Sequence, residues 1–243
     1  MIPLQRPPLP VELAERLRQR HGRLHETDLS TASVRRAWKN ARTEREGLRG
    51  ALLTMAAGHA RCMYCCDSTG TDIDHFEPIA LAPLRAFDWL NHLLACSFCN
   101  SNQKRELYPC DAASGDCLLI DPSRDDPSDH LQLLFSSGRY RGRTAKGRQT
   151  IATFGLNTRI ELVRGRIDAF LLCKDTLGSS ARQVAAGRHG YADDLLKALS
   201  RRPNGDVLHA MLAQRHLPDA PRMFGADAVL GLHQLAAALA ASS

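Results

Sequence analysis

Four cysteines in two Cys-x-x-Cys pairs, Cys62/Cys65 and Cys96/Cys99, bracket an Asp-His dipeptide at Asp74 and His75. Thiols at this spacing are the ligand set of a tetrahedral structural Zn²⁺ site, in which four thiolates leave no coordination position open. In small zinc peptides such a metal contributes roughly 10–16 kcal/mol of folding free energy near neutral pH. The loop between the pairs is too short to bury much core by itself, so a metal staple suits it. Four ordinary buried cysteines are the plainer account, and two separate pairs make it the poorer one. Cys66 falls outside the spacing and is not counted as a ligand.

The dipeptide sits at the end of a short β-like run, residues 70–74, that Pro78 closes. Adjacent side chains on a strand point to opposite faces. A carboxylate on one side can hold a hard divalent cation while an imidazole on the other takes a proton from an attacking water. Asn100 follows Cys99 directly and opens an expected helix over residues 100–106, where its side-chain carbonyl can complete the cation site. One turn further on, Lys104 is placed to grip a flanking phosphate, and Asn102 is a weaker candidate nearby; a solvated lysine is the bland alternative. Cation, base and phosphate grip are what phosphoryl transfer to water requires.

With these residues in order, as C-x-x-C, D-H, N, then C-x-x-C-N-x-x-x-K, the chain resembles the HNH endonucleases, the ββα-metal nuclease family. The resemblance implies that His75 is the general base and that Asp74 and Asn100 ligate a catalytic Mg²⁺ or Mn²⁺. It implies that Asn91, the middle signature residue, pins the loop that carries the catalytic histidine. Asn100 stands where other members have histidine, which favours an oxygen-ligated hard metal. The runs CNSNQKRELYP, LLIDPSRDDPSDHL and TIATFGLNTRIELVRGR extend the likeness over about residues 48–170, toward a bacterial subgroup that includes Septu-type anti-phage nuclease subunits and retron-associated effectors. Members of that subgroup commonly act beside an ABC or SMC-like ATPase, so such a partner is implied by resemblance alone.

The remaining chain must position this module. The expected fold is α+β and mostly helical, with a zinc-stapled ββα-metal module at residues 58–110 set between N-terminal helices (1–57) and a hairpin with C-terminal helices (111–243). Residues 1–10, with four prolines, read as an extended arm. Helices are expected from 11 to about 20, ended by Gly22, then from Ser30 or Ser33, and over 48–57. The second carries Val34, Ala37, Trp38 and Ala41 on one face and Arg35, Arg36, Lys39, Arg42 and Arg45 on the other, either a solvated face or a contact to a nucleic-acid backbone. The acidic stretch 118–130 lacks the ligand rhythm of an EF-hand, and Asp121, Asp125 and Asp126 are expected to pair internally. Strands over 131–135 and 138–143 form a hairpin. A helical region follows from about 150, in which Arg159, Arg164 and Arg166 are expected salt-bridge partners, and helices are expected over 181–199, 206–215 and 226–241.

The formal charge of +6 suits a nucleic-acid partner, DNA foremost, and 5% aromatic content argues against a platform for stacking single strands. No apolar run is long enough to span a membrane and no apolar leader is evident, so the expected setting is cytoplasmic, without membrane attachment. Eight cysteines fit that setting, four at metal spacing and Cys110, Cys117 and Cys173 scattered. The leading reading is a metal-dependent endonuclease. The alternative is a non-catalytic zinc-stapled module that binds nucleic acid or protein, which leaves Asp74, His75 and Asn100 without a job. A zinc hydrolase is weaker, because four thiolates leave zinc no open position.

Overall fold

Local signals set most element boundaries, and tertiary contacts moved the rest. The computed structural model describes residues 1–26 and 28–241, and its fold is α+β and mostly helical. After Pro10, helix α1 (Val11–Leu24) buries Leu13, Leu17 and Leu24; Gly22 lies inside it and does not end it. The Ser30 side chain accepts from Ser33 N and caps α2 (Thr31–Asn40). Helix α3 (Arg42–Met55) begins six residues before its expected start, straight after a non-helical Ala41. Its buried Glu44 accepts from Arg20 Nε at 3.0 Å, and that bond fastens the early start onto α1.

Strands β1 (Asp72–His75) and β2 (His92–Ala95) pair antiparallel, with His75 opposite His92 and Asp74 opposite Leu93. A turn of π-helix, Phe98–Lys104, follows. It starts two residues before the expected helix and stops at Lys104, because Arg105 turns left-handed at φ +49°. Then come α4 (Pro127–His130), the hairpin β3 (Leu131–Leu134) and β4 (Arg139–Gly142), and α5 (Ala145–Thr153). The C-terminal part is α6 (Ile160–Ala185), α7 (His189–Ser200), α8 (Gly205–Gln214), α9 (Ala220–Phe224) and α10 (Ala226–Ala241). The helix expected over 181–199 is in fact the end of α6 and most of α7, separated at Gly187, where φ is +75°. The expected bounds of α10 match those observed.

The arm is irregular, as its prolines require, yet it is strapped down. Met1 and Leu4 are buried, Leu4 N donates to Pro122 O at 2.7 Å, and Arg6 donates to Trp89 O, His92 O and Ser123 Oγ at 2.9–3.0 Å. Asp125 pairs with Lys146 at 2.9 Å, Asp126 caps α4, and Asp121 accepts from Ser123. Arg166 is buried against Asp206 at 3.2 Å, whereas Arg159 donates to the Cys99 thiol and lies over Phe98, with no acidic partner among the described residues. Cys110 and Cys117, far from scattered, face each other across an antiparallel bridge.

One apolar cluster runs from Met63, Tyr64, Leu93 and Leu94 through Phe154 and Leu156 to Leu177, Met211 and Leu232. A second joins the N-terminal helices to Ile79, Ala86 and Phe87 of the loop between β1 and β2. The module therefore borrows core from both sides.

Candidate metal centre and catalytic cleft

Cys62 and Cys65 come from the turn after α3, and Cys96 and Cys99 from the end of β2 and the π-helical turn. All four are buried, and their sulfurs lie within 4.8 Å of one another. A tetrahedron of Zn–S bonds of about 2.3 Å has sulfurs about 3.8 Å apart, close to the 4.0 Å between Cys65 and Cys96. Donor type, number and spacing thus fit a structural Zn²⁺. Hydrogen bonds within the quartet hold the Cys65 thiol below its usual range, while burial pushes the Cys62 thiol up and its partners push the Cys99 thiol up, so the four sulfurs share protons when no cation neutralises them. Cys66, the bystander, takes φ +58° and is pushed up to about 11 by burial.

Beside this cluster a cleft of about 200 Å³ is lined by Arg35, Trp38, Asp74, His75, Asn100 and Glu106, among others. Strand β1 presents Asp74 and His75, the π-helical turn presents Asn100, and Arg35 of α2 pairs with Glu106 across the lining. His75 Nε2 lies 3.1 Å from Ala86 O, which assigns the ring hydrogen to Nε2 and leaves the lone pair on Nδ1. Burial first, with the charges of Lys104 and Arg45, depresses the imidazole to about 4. It is neutral near pH 7 and able to accept a proton.

Asn91 is fully buried and grips the loop after β1. Its Oδ1 accepts from Glu77 N at 2.8 Å, and its Nδ2 donates to Glu77 O and Arg85 O at 3.0 and 3.2 Å. Those bonds fix the residues that carry Ala86 O, and through it the His75 ring.

Asp74 is more enclosed than a simple open ligand. Tyr64 Oη donates to one carboxylate oxygen at 2.5 Å and Lys104 Nζ to the other at 3.0 Å. Burial pushes its carboxyl up against the pull of both partners. Lys104, expected on an exposed helix face, is fully buried and also donates to His75 O at 2.7 Å. It is the last residue of the π-helical turn, and both of its acceptors lie on β1. Asn102 is exposed. Asn100 Nδ2 donates to Asp72 Oδ2 at 3.2 Å, which leaves its carbonyl oxygen as a donor to a cation.

Sequence reasoning missed Asp72, Tyr64 and Trp38. Asp72 had a signal, since it lies two residues before Asp74 on the same strand face. Tyr64 and Trp38 reach the site only through tertiary packing: Trp38 meets His75 edge-on at 4.6 Å.

No family model matches the chain, and no solved structure matches it. A 130-residue alignment relates it at 24% identity to the Septu protein PtuB of Bacillus mycoides (strain KBAB4), covering 42% of this chain. The chain spans 44% of that relative's length.

Proposed function

We propose that this chain is an HNH-type endonuclease that hydrolyses phosphodiester bonds, DNA foremost, with Asp74 and Asn100 as ligands of Mg²⁺ or Mn²⁺ and a structural zinc on Cys62, Cys65, Cys96 and Cys99. The observation that carries it is His75: a neutral imidazole, fixed through Ala86 O by the Asn91-pinned loop, in a cleft that also holds Asp74 and Asn100. Oxygen donors from a carboxylate and an amide carbonyl suit a hard cation. When bound, it would offset charge developing on the phosphate oxygens and polarise the attacking water. His75 takes the proton from that water at Nδ1, while Nε2 stays on Ala86 O. Lys104 offsets part of the cost of ionising Asp74 in its buried setting, a positioning role in place of a surface phosphate grip.

The similarity to a protein named for Septu supports a place in bacterial anti-phage defence. In that setting the chain would act as the nuclease subunit beside an ABC or SMC-like ATPase partner. The engagement of both Asp74 oxygens favours one second reading, a zinc-stapled binding module without catalysis.

Plasmid cleavage in Mg²⁺ and in Mn²⁺, with His75→Ala alongside, separates the two. The expected result is cleavage by the wild type and a loss of about 10²–10⁴-fold in the variant, the usual worth of a general base, with zinc content and fold unchanged. A folded, zinc-loaded wild type that cuts in neither cation would leave the binding module.

A further inference from the structure

We propose that the groove between α3 and the start of β1 is a seat for the sugar-phosphate backbone of a nucleic-acid duplex, gripped by Arg42 and Arg45. That the groove feeds the His75 cleft rests on the nuclease reading above; the seat itself does not. The groove has a volume of about 490 Å³ and is lined by Trp38, Arg42, Arg45, Glu46, Arg49 and Asp72, with Thr71 and Ile73. Trp38 and Ile73 also line the cleft that holds His75 and Asn100, so the two are neighbours across a shared wall.

Charge and spacing favour a phosphate chain. The groove lining carries Arg42, Arg45 and Arg49 against two carboxylates, of which Glu46 is paired with Arg42 and Asp72 accepts from Asn100 Nδ2. Arg42, Arg45 and Arg49 recur at the third and seventh positions along α3, so they share one side of the helix and span about 10 Å. At 3.4 Å of axial rise per nucleotide, that covers on the order of three phosphates of one strand.

The three arginines are not equally free. Arg49 is spent on structure: it donates to Thr71 O at 2.7 Å and Gly70 O at 3.3 Å and so fixes the groove floor. Arg42 makes an exposed pair with Glu46 at 2.8 Å, the kind of contact a phosphate displaces at little cost. Arg45 lies 5.7 Å over the Trp38 ring, donates weakly to Lys39 O at 3.4 Å, and has a buried Nε without a hydrogen-bond partner among the described residues. Its planar fork is held in place with donors to spare, which suits bidentate phosphate contact.

Backbone recognition is favoured over base stacking because the groove offers no open aromatic face. Trp38 is stacked by His92 at 5.1 Å and 12°, is met edge-on by His75, and carries Arg45. Single-strand binders need such faces, whereas a duplex presents phosphates and buries its bases.

The test is binding of a fluorescent duplex oligonucleotide by the full chain, without added divalent cation, over a salt series. Four proteins are compared: wild type, Arg42→Gln/Arg45→Gln, Arg42→Lys/Arg45→Lys, and the control Arg222→Gln/Lys197→Gln, which removes equal charge from exposed C-terminal positions. Losing two phosphate contacts should lower the log–log salt slope by roughly 1.8 and the affinity by at least about 10-fold at low salt. The Lys pair should keep most of the slope, and the control should bind as wild type does. Circular dichroism and zinc content check that each variant is folded.

Wild-type affinity in the Gln pair, an equal loss in the control, or no binding by the wild type would each overturn the proposal. Cleavage is scored separately. If the Gln pair binds normally while the wild type cuts DNA, the groove fails and the nuclease reading stands. If the Gln pair loses binding while the wild type cuts in neither Mg²⁺ nor Mn²⁺, the groove stands and the nuclease reading fails.

Discussion

Lys104 and Asp74 hold each other inside the core, with side-chain exposures of 0% and 3%. Such a pair adds little net stability, because desolvation offsets most of the attraction, but removing one partner strands a buried charge. Lys104→Met should therefore destabilise the chain by about 3–5 kcal/mol at neutral pH, read from urea denaturation. The penalty has a sign in pH. Burial already raises the Asp74 carboxyl, and without the ammonium it rises further. The unfolded chain then ionises first, so the penalty grows as pH climbs above about 4. Adding Asp74→Asn should recover most of the loss. Equal stability of Lys104→Met and wild type at pH 7 would mean that this pair carries no charge. The Lys104–Asp74 pair was not legible in the sequence, where Lys104 reads as a surface phosphate grip and Asp74 as a metal ligand.

At the scale of elements, the site depends on two strands and an irregular turn more than on helices. Strand β1, expected over residues 70–74 before Pro78, runs from Asp72 to His75, and it sets Asp72 and Asp74 on one face. Strand β2, HLLA, is buried throughout and carries no alternation, so periodicity is silent there. Away from the site, α10 packs on α6 through small residues. A Cβ added at Gly231 would lie 2.3 Å from Leu177 O, inside contact distance to rigid backbone. Gly231→Ala should push the two helices apart and cost about 1–3 kcal/mol, seen as a lower midpoint of thermal unfolding. An unchanged midpoint would place the helices further apart than described.

Across the whole molecule, the zinc-fitting cysteines and the C-terminal helices share one apolar cluster. Cys62, Cys65, Cys96 and Cys99 touch the same core as Phe154, Leu177 and Met211, and Arg159 at the entry to α6 donates to Cys99. Metal loss should therefore not unravel a small finger alone. One zinc per chain is expected, and its removal by chelator should lower the unfolding midpoint of the α6–α10 helices in the same transition that releases the metal. Helices that melt at their original midpoint after zinc has gone would show two independent units.

By itself the sequence determined the cysteine quartet, the Asp-His dipeptide with Asn91 and Asn100, the basic run from Arg35 to Arg45 (read there as one helix face, and split by the structure at Ala41), the hairpin and the bounds of α10. Each rests on residue types at short, fixed spacings, which survive whatever the rest of the chain does. Tertiary structure decided how those groups are used. It joined α3 to α1 through Glu44 and Arg20, extending the helix back to Arg42. It buried Lys104 on Asp74, brought Tyr64 to the second carboxylate oxygen and Asp72 to Asn100, and laid Trp38 between the arginine groove and His75. The contacts made to Asp74, Glu44, Asn100 and His75 join residues 10 to 37 positions apart in the chain. Local pattern cannot encode them, because they depend on which faces meet once the two apolar clusters close.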